Sequence, residues 1–210
     1  MRLLETLLLS CALAVSARAQ SPAPADSSSR TQFGLIAGIA MTGLSVSDVS
    51  HDGGVVSASG NGTSPYFGLF ARRSLTPSVH AAVQAVFDLK GDDGAGYTIP
   101  FLQLPVQVEY TPFAPRAAGR WVRPVLFTGV SAGVRLQPGG GAGYYASIRP
   151  FELSALLGFG VEAHFRSRDW VQLGLAAQRG LTDLQPKPGT TTSFSVAAFV
   201  KAHPGAMRRR

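Results

Sequence analysis

The chain has almost no cysteine: its single residue, Cys11, lies within the first twenty positions. A mature chain lacking that segment has no disulfide, no thiolate nucleophile and no cysteine metal ligand. Charge is also scarce, at 15% Asp, Glu, Lys and Arg against about 25% in a typical soluble domain. After the N-terminus there is no run of about 18 apolar residues, which excludes a transmembrane helix. With 24 Gly and 14 Pro among 210 residues, turns are expected to be many and long helices few. The mean hydropathy is nonetheless +0.15, unusual for a soluble domain.

The first 19 residues have the layout of an export signal: Arg2 opens a short n-region, Leu7 to Val15 is mostly apolar, and Ala17-Arg18-Ala19 precedes a cleavage point before Gln20. Leu8-Leu9-Ser10-Cys11 resembles a lipoprotein box, but the apolar stretch ahead of Cys11 is too short for that reading. Residues 20–31 are a flexible Ser/Pro/Ala-rich lead-in, 32–202 one barrel domain, and 203–210 a basic tail.

Within 32–202 the dominant signal has a period of two. From Phe151 to Phe165 every second residue reads Phe, Leu, Ala, Leu, Phe, Val, Ala, Phe, while Glu152, Ser154, Leu156, Gly158, Gly160, Glu162 and His164 fall between them. Successive strand side chains point to opposite faces, so this segment has one apolar and one small or polar face. Similar alternation predicts strands over Gln32–Gly43, Pro65–Arg73, Val79–Lys90, Tyr97–Tyr110, Trp121–Leu136, Trp170–Leu181 and Thr191–Ala202. From the third strand onward the interior of the apolar face carries no Asp, Glu, Lys or Arg, and the charges share the other face with Gly, Ser and Gln. A lipocalin-like soluble barrel has the reverse arrangement. Apolar outside with small and polar residues inside is the pattern of a transmembrane barrel, predicting an all-β, eight-stranded antiparallel up-and-down fold.

The connections alternate in length. Leu44–Ser64, Gly91–Gly96, Gln137–Arg149 and Thr182–Thr190 are expected to be outer loops, and Ser74–Ser78, Thr111–Arg120 and Arg166–Asp169 periplasmic turns. Phe101-Leu102-Gln103-Leu104-Pro105-Val106, Arg123-Pro124-Val125-Leu126-Phe127-Thr128-Gly129, Gly158-Phe159-Gly160-Val161-Glu162 and Arg179-Gly180-Leu181-Thr182-Asp183-Leu184 occur in the order seen in a known group. On these stretches the chain resembles the porin-like or PorT-like outer-membrane β-barrel proteins. The resemblance implies an eight-stranded outer-membrane barrel without a settled activity. Such barrels often finish on an aromatic residue, whereas this chain continues into the basic tail after Ala202.

Eight strands enclose a space that side chains can fill. Arg72, Asp88, Glu109, Arg123, Arg135, Glu152, Glu162 and His164, with Lys90 and Lys201, are expected to pair there as a lumen charge network, because an uncompensated buried charge costs several kcal/mol. Tyr110, Trp121, Phe165 and Trp170 lie near the inferred periplasmic strand ends and are expected to form an aromatic girdle at the headgroup level. The net charge of +7 is concentrated in arginines, including Arg72, Arg73 and Arg123, that fall near turns or the tail and suit anionic headgroups rather than nucleic acid.

His80, His164, Glu162 and Ser154 offer the residue types of an acyl-transfer set, which needs the groups within hydrogen-bond reach. The expectation is a non-enzymatic barrel with no cofactor or metal, meeting outer-membrane lipids, the barrel-assembly machinery during biogenesis and a possible surface ligand at its outer loops. The alternatives are narrow-pore transport of small solutes and an outer-membrane lipid-modifying enzyme.

Overall fold

The computed structural model describes residues 31–49, 55–92, 97–112, 121–136, 149–165, 169–184 and 190–204. They form β1 (Thr31–Val49), β2 (Val55–Ser74), β3 (Val79–Asp92), β4 (Tyr97–Tyr110), β5 (Trp121–Arg135), β6 (Phe151–His164), β7 (Trp170–Gly180) and β8 (Thr190–His203). Neighbours in sequence pair antiparallel and β8 pairs back onto β1, so the sheet is a closed eight-stranded up-and-down barrel. Closure leaves no strand edge to be desolvated in hydrocarbon.

The register fixes which side chains meet inside. Followed from partner to partner, a path leaves β1 at Thr42, runs through Ser195, Gln178, Leu156, Gly129, Gln107, Ala82 and Arg72, and returns to β1 at Gln32. This ten-residue stagger (Thr42 to Gln32) tilts the strands against the barrel axis, as closing eight strands requires.

Around the middle of the barrel the outward face of all eight strands is mainly apolar. Phe33 is 67% exposed and Leu157 66%, with Leu69, Val106, Leu126, Leu173 and Val196 also exposed. In water each such side chain would forgo about 1.5–3 kcal/mol of burial. In lipid the exposure costs nothing, so this exterior belongs in a bilayer. Arg179 breaks the pattern: it is exposed on the outward face of β7, where the sequence reading placed no charge.

The main departure from the expected strands is at the first hairpin. Most of Leu44–Ser64 is strand and not loop: β1 runs to Val49, β2 begins at Val55, and Val49 pairs with Val55. From Val55 to Tyr66, β2 pairs with β1 and not with β3, and near Ser64 side chains take over the contact: Ser64 Oγ donates to Asp88 and Thr42 Oγ1 to the Leu89 carbonyl. Ser, Gly, Asn and Thr dominate this stretch and hide its strand character from any apolar alternation. At the opposite end Ser74–Ser78 is a tight turn, held by Leu75 N–H donating to the Val79 carbonyl at 2.9 Å and by Thr76 Oγ1 accepting from Val79 N–H at 3.0 Å.

Most of the remaining connections, the export-signal reading of residues 1–19, the lead-in up to residue 30 and the tail from residue 205 lie outside the described residues.

Inward glycines and aromatics are matched across strands. Phe70 is paired with Gly34, Phe127 with Gly158 and Phe199 with Gly174. A Cβ on Gly158 would lie 2.2 Å from the Phe127 ring, and one on Gly174 would lie 2.5 Å from the Phe199 ring. The missing side chain is what lets each ring lie flat across the narrow lumen.

Candidate functional site

The lumen is built as three layers. Its middle is an apolar plug containing Phe70, Phe127, Phe199, Tyr66, Ile36 and Leu156, all buried. Phe127 and Phe199 have ring centroids 5.8 Å apart, and Tyr66 and Phe199 are 6.5 Å apart. Polar networks stand on either side.

The network nearer the Ser74–Ser78 turn joins five strands. Arg72 on β2 places Nε 2.9 Å from Glu109 on β4 and Nη1 against Glu162 on β6. Arg123 on β5 also engages Glu162, with Nε at 2.8 Å and Nη2 at 2.5 Å, and donates to Thr111 Oγ1 at 3.3 Å. Lys201 on β8 donates to Glu109 at 2.7 Å, and Gln107 Nε2 donates to the same oxygen at 2.7 Å. His164 meets Glu162 through Nε2.

Arg72 is 2% exposed and Glu162 0%, so these charges are shielded from water and depend on one another. Aromatic faces complete their surroundings. Lys201 Nζ lies 5.4 Å from the Phe199 ring and 5.5 Å from the Phe127 ring, and the Arg72 guanidinium lies 4.9 Å from Trp170.

The network nearer the first hairpin is looser in charge and richer in amides and hydroxyls. Lys90 donates to Glu152 at 2.5 Å, and Glu152 also accepts from Ser154 at 3.2 Å and from Ser193. Asp88 accepts from Ser64 and from Gln103 Nε2, both at 3.1 Å. Gln103 Oε1 in turn accepts from Ser131 at 3.1 Å and Gln178 at 2.7 Å. Arg135 stands half-buried at this end of β5.

The eight residues named for the lumen therefore divide. Arg72, Glu109, Arg123, Glu162 and His164 lie in one network, Asp88 and Glu152 in the other, and Arg135 at the mouth. Lys90 and Lys201 are as central as any of them. Arg72 and Arg123 are not headgroup anchors: inward strand positions bury both, while Arg73 is exposed.

The girdle divides as well. Trp170 does not face the headgroups: it is 1% exposed, donates Nε1–H to Gln32 Oε1 at 3.1 Å and closes the lumen beneath Phe70, with ring centroids 5.4 Å apart. Its place in the alternation with Gln172 and Gly174 already put it on the inner face. Phe165 is exposed and Tyr110 half-buried at the same end, and the Trp121 side chain lies outside the described residues.

The acyl-transfer set is not assembled. Ser154 sits in one network and His164 in the other. A Ser–His contact that the sequence reading missed does occur, Ser74 Oγ to His80 Nδ1 at 3.0 Å. His80 Nε2 is buried without a hydrogen-bond partner, so no carboxylate orients the ring as in a triad.

No protein-family model and no curated protein matches the chain. Several solved structures share its barrel shape. The N-terminal β-barrel domain of Pseudomonas aeruginosa OprF is 15% identical with a TM-score of 0.43, covering 81% of this chain and 99% of that one. Neisserial surface protein A (NspA) is 13% identical with a TM-score of 0.44, covering 82% and 97% respectively. The outer membrane protein AlkL is 12% identical with a TM-score of 0.47, covering 91% and 99%.

Proposed function

We propose that this chain is an integral outer-membrane barrel of porin-like kind that does not conduct, and that its role is structural or surface-interacting rather than enzymatic. The observation that carries this reading is the sealed lumen: Phe70, Phe127 and Phe199 lie across it between two ion-paired networks. An open pore needs a continuous wet path, and a buried aromatic layer interrupts one. Lipid is the partner of the exterior, and the barrel-assembly machinery is the partner during insertion. The outer part of the β1–β2 hairpin, which has no backbone pairing to β3, is the natural surface for an external ligand. The test is planar-bilayer recording on the refolded barrel. It is expected to show no steady conductance, and reproducible steps at nanosiemens level would replace this reading with small-solute transport.

A further inference from the structure

Arg179 is an anomaly that the sealed lumen does not explain. Among the described residues it is the one charge on the outward strand faces apart from Arg73, which lies at the turn-side end of β2. Its cross-strand partners are Ala155 and Phe194, and the next outward residue beyond it, Leu181, is itself 60% exposed. Arg179 thus sits inside the apolar band, below its rim at the end away from the Ser74–Ser78 turn. An unpaired arginine facing hydrocarbon costs up to about 2–4 kcal/mol at mid-depth and less near the interface. A partner that reaches it there must be both anionic and apolar.

The surface below it supplies the apolar half. Along β7 the next outward residue is Ala177, flanked by Leu157 and Val196, and below it an apolar groove is lined by Gly160, Gly174, Phe159, Leu175 and Ala198. Gly160 pairs directly with Gly174 there. Arg179 and Leu175 are four residues apart on one strand, about 13 Å at ~3.3 Å per residue, a span an acyl chain covers. Above, Arg149 is exposed at the head of β6, its N–H fixed to the Leu184 carbonyl at 2.7 Å.

We propose that the β6–β8 face binds one multiply phosphorylated acyl lipid of the outer leaflet. One phosphate sits on Arg179, a second points up toward the exposed Arg149 end of β6, and a chain lies past Ala177 into the groove. Arginine favours phosphate because its planar donors bind two oxygens at once. This inference rests on the outer-membrane reading, which gives the barrel an outer leaflet to meet.

The experiment is native mass spectrometry of the full barrel, first inserted in neutral vesicles and then released with equal amounts of diphosphoryl lipid A and phosphatidylglycerol. One lipid A is expected to be retained preferentially. Arg179→Leu should lower that retention about tenfold, the loss of one charge-assisted contact, and Ala177→Trp should lower it by blocking the chain. Arg179→Lys should keep most of it. Heat-modifiable gel migration checks that each variant is folded, and Arg179→Leu removes no side-chain hydrogen bond or ion pair among the described residues. Equal retention by the native chain and Arg179→Leu would overturn the proposal, as would equal retention of phosphatidylglycerol. Failure to insert into any bilayer would overturn the outer-membrane reading along with it, whereas insertion followed by equal retention overturns this inference alone.

Discussion

Glu162→Gln is expected to destabilise the barrel by about 3–5 kcal/mol, the range for removing one partner from a buried ion-paired group. Glu162 receives Arg72, Arg123 and His164 from three directions. Arg72 bridges Glu109 and Glu162, and Arg123 also engages Glu162, so the substitution takes a buried carboxylate away from two guanidiniums at once. The amide also turns an –NH2 toward guanidinium donors. Urea unfolding in micelles, followed by gel migration and by Trp170 fluorescence, measures the loss. Adding Arg123→Gln removes one of the two guanidiniums that Glu162 engages and should recover part of the stability. Glu152→Gln should cost less, because Asp88 remains near Lys90 in a layer held largely by hydroxyls and amides. Equal losses at Glu162 and Glu152 would mean that holding two guanidiniums is not what makes Glu162 critical.

Phe127→Ala should cost a similar amount, about 3–5 kcal/mol, for a different reason. The ring is buried, lies on Gly158, packs against Phe199 and lines the space around the Lys201 ammonium. Truncation loses transfer energy and leaves a cavity, since Gly158 offers no side chain to fill it. The cavity would lie between two polar networks, so water enters where an apolar core would have stayed dry. The double variant Phe127→Ala, Phe199→Ala is therefore expected to show intermittent conductance where the native barrel shows none. A double variant that stays silent and loses less than about 1 kcal/mol, well under the large-to-small range, would remove the aromatic layer as the seal.

Much of this was readable along the chain because a strand's period is two and lipid enforces it strictly. β3 to β8 begin and end within two residues of their alternating segments. Parity alone also assigned Arg72, Arg123 and Trp170 to the inner face. At Trp170 the preference of tryptophan for membrane interfaces points outward but parity points inward, and parity prevails; Arg179, at an odd position of β7, faces lipid by the same rule.

Two things were beyond the sequence. The outer half of the first hairpin has no apolar face, so nothing in its pattern distinguished strand from loop. Convergence of Arg72, Glu109, Glu162, Arg123 and Lys201 depends on the stagger of five strands, and so do the Gly–Phe pairings across the lumen. Periodicity places a residue on a face; only register says which residue it meets there.

The most direct test of the account is the solvent of the Phe151–Phe165 alternation. With Cys11 replaced by Ser, Leu157→Cys and Phe159→Cys variants each carry one spin label on the outward face of β6. In bilayers both labels should collide with dissolved oxygen and stay shielded from a water-soluble nickel chelate, while a label at Arg73→Cys meets the chelate. Strong nickel access at 157 and 159 would put water on that face and contradict a membrane-spanning barrel.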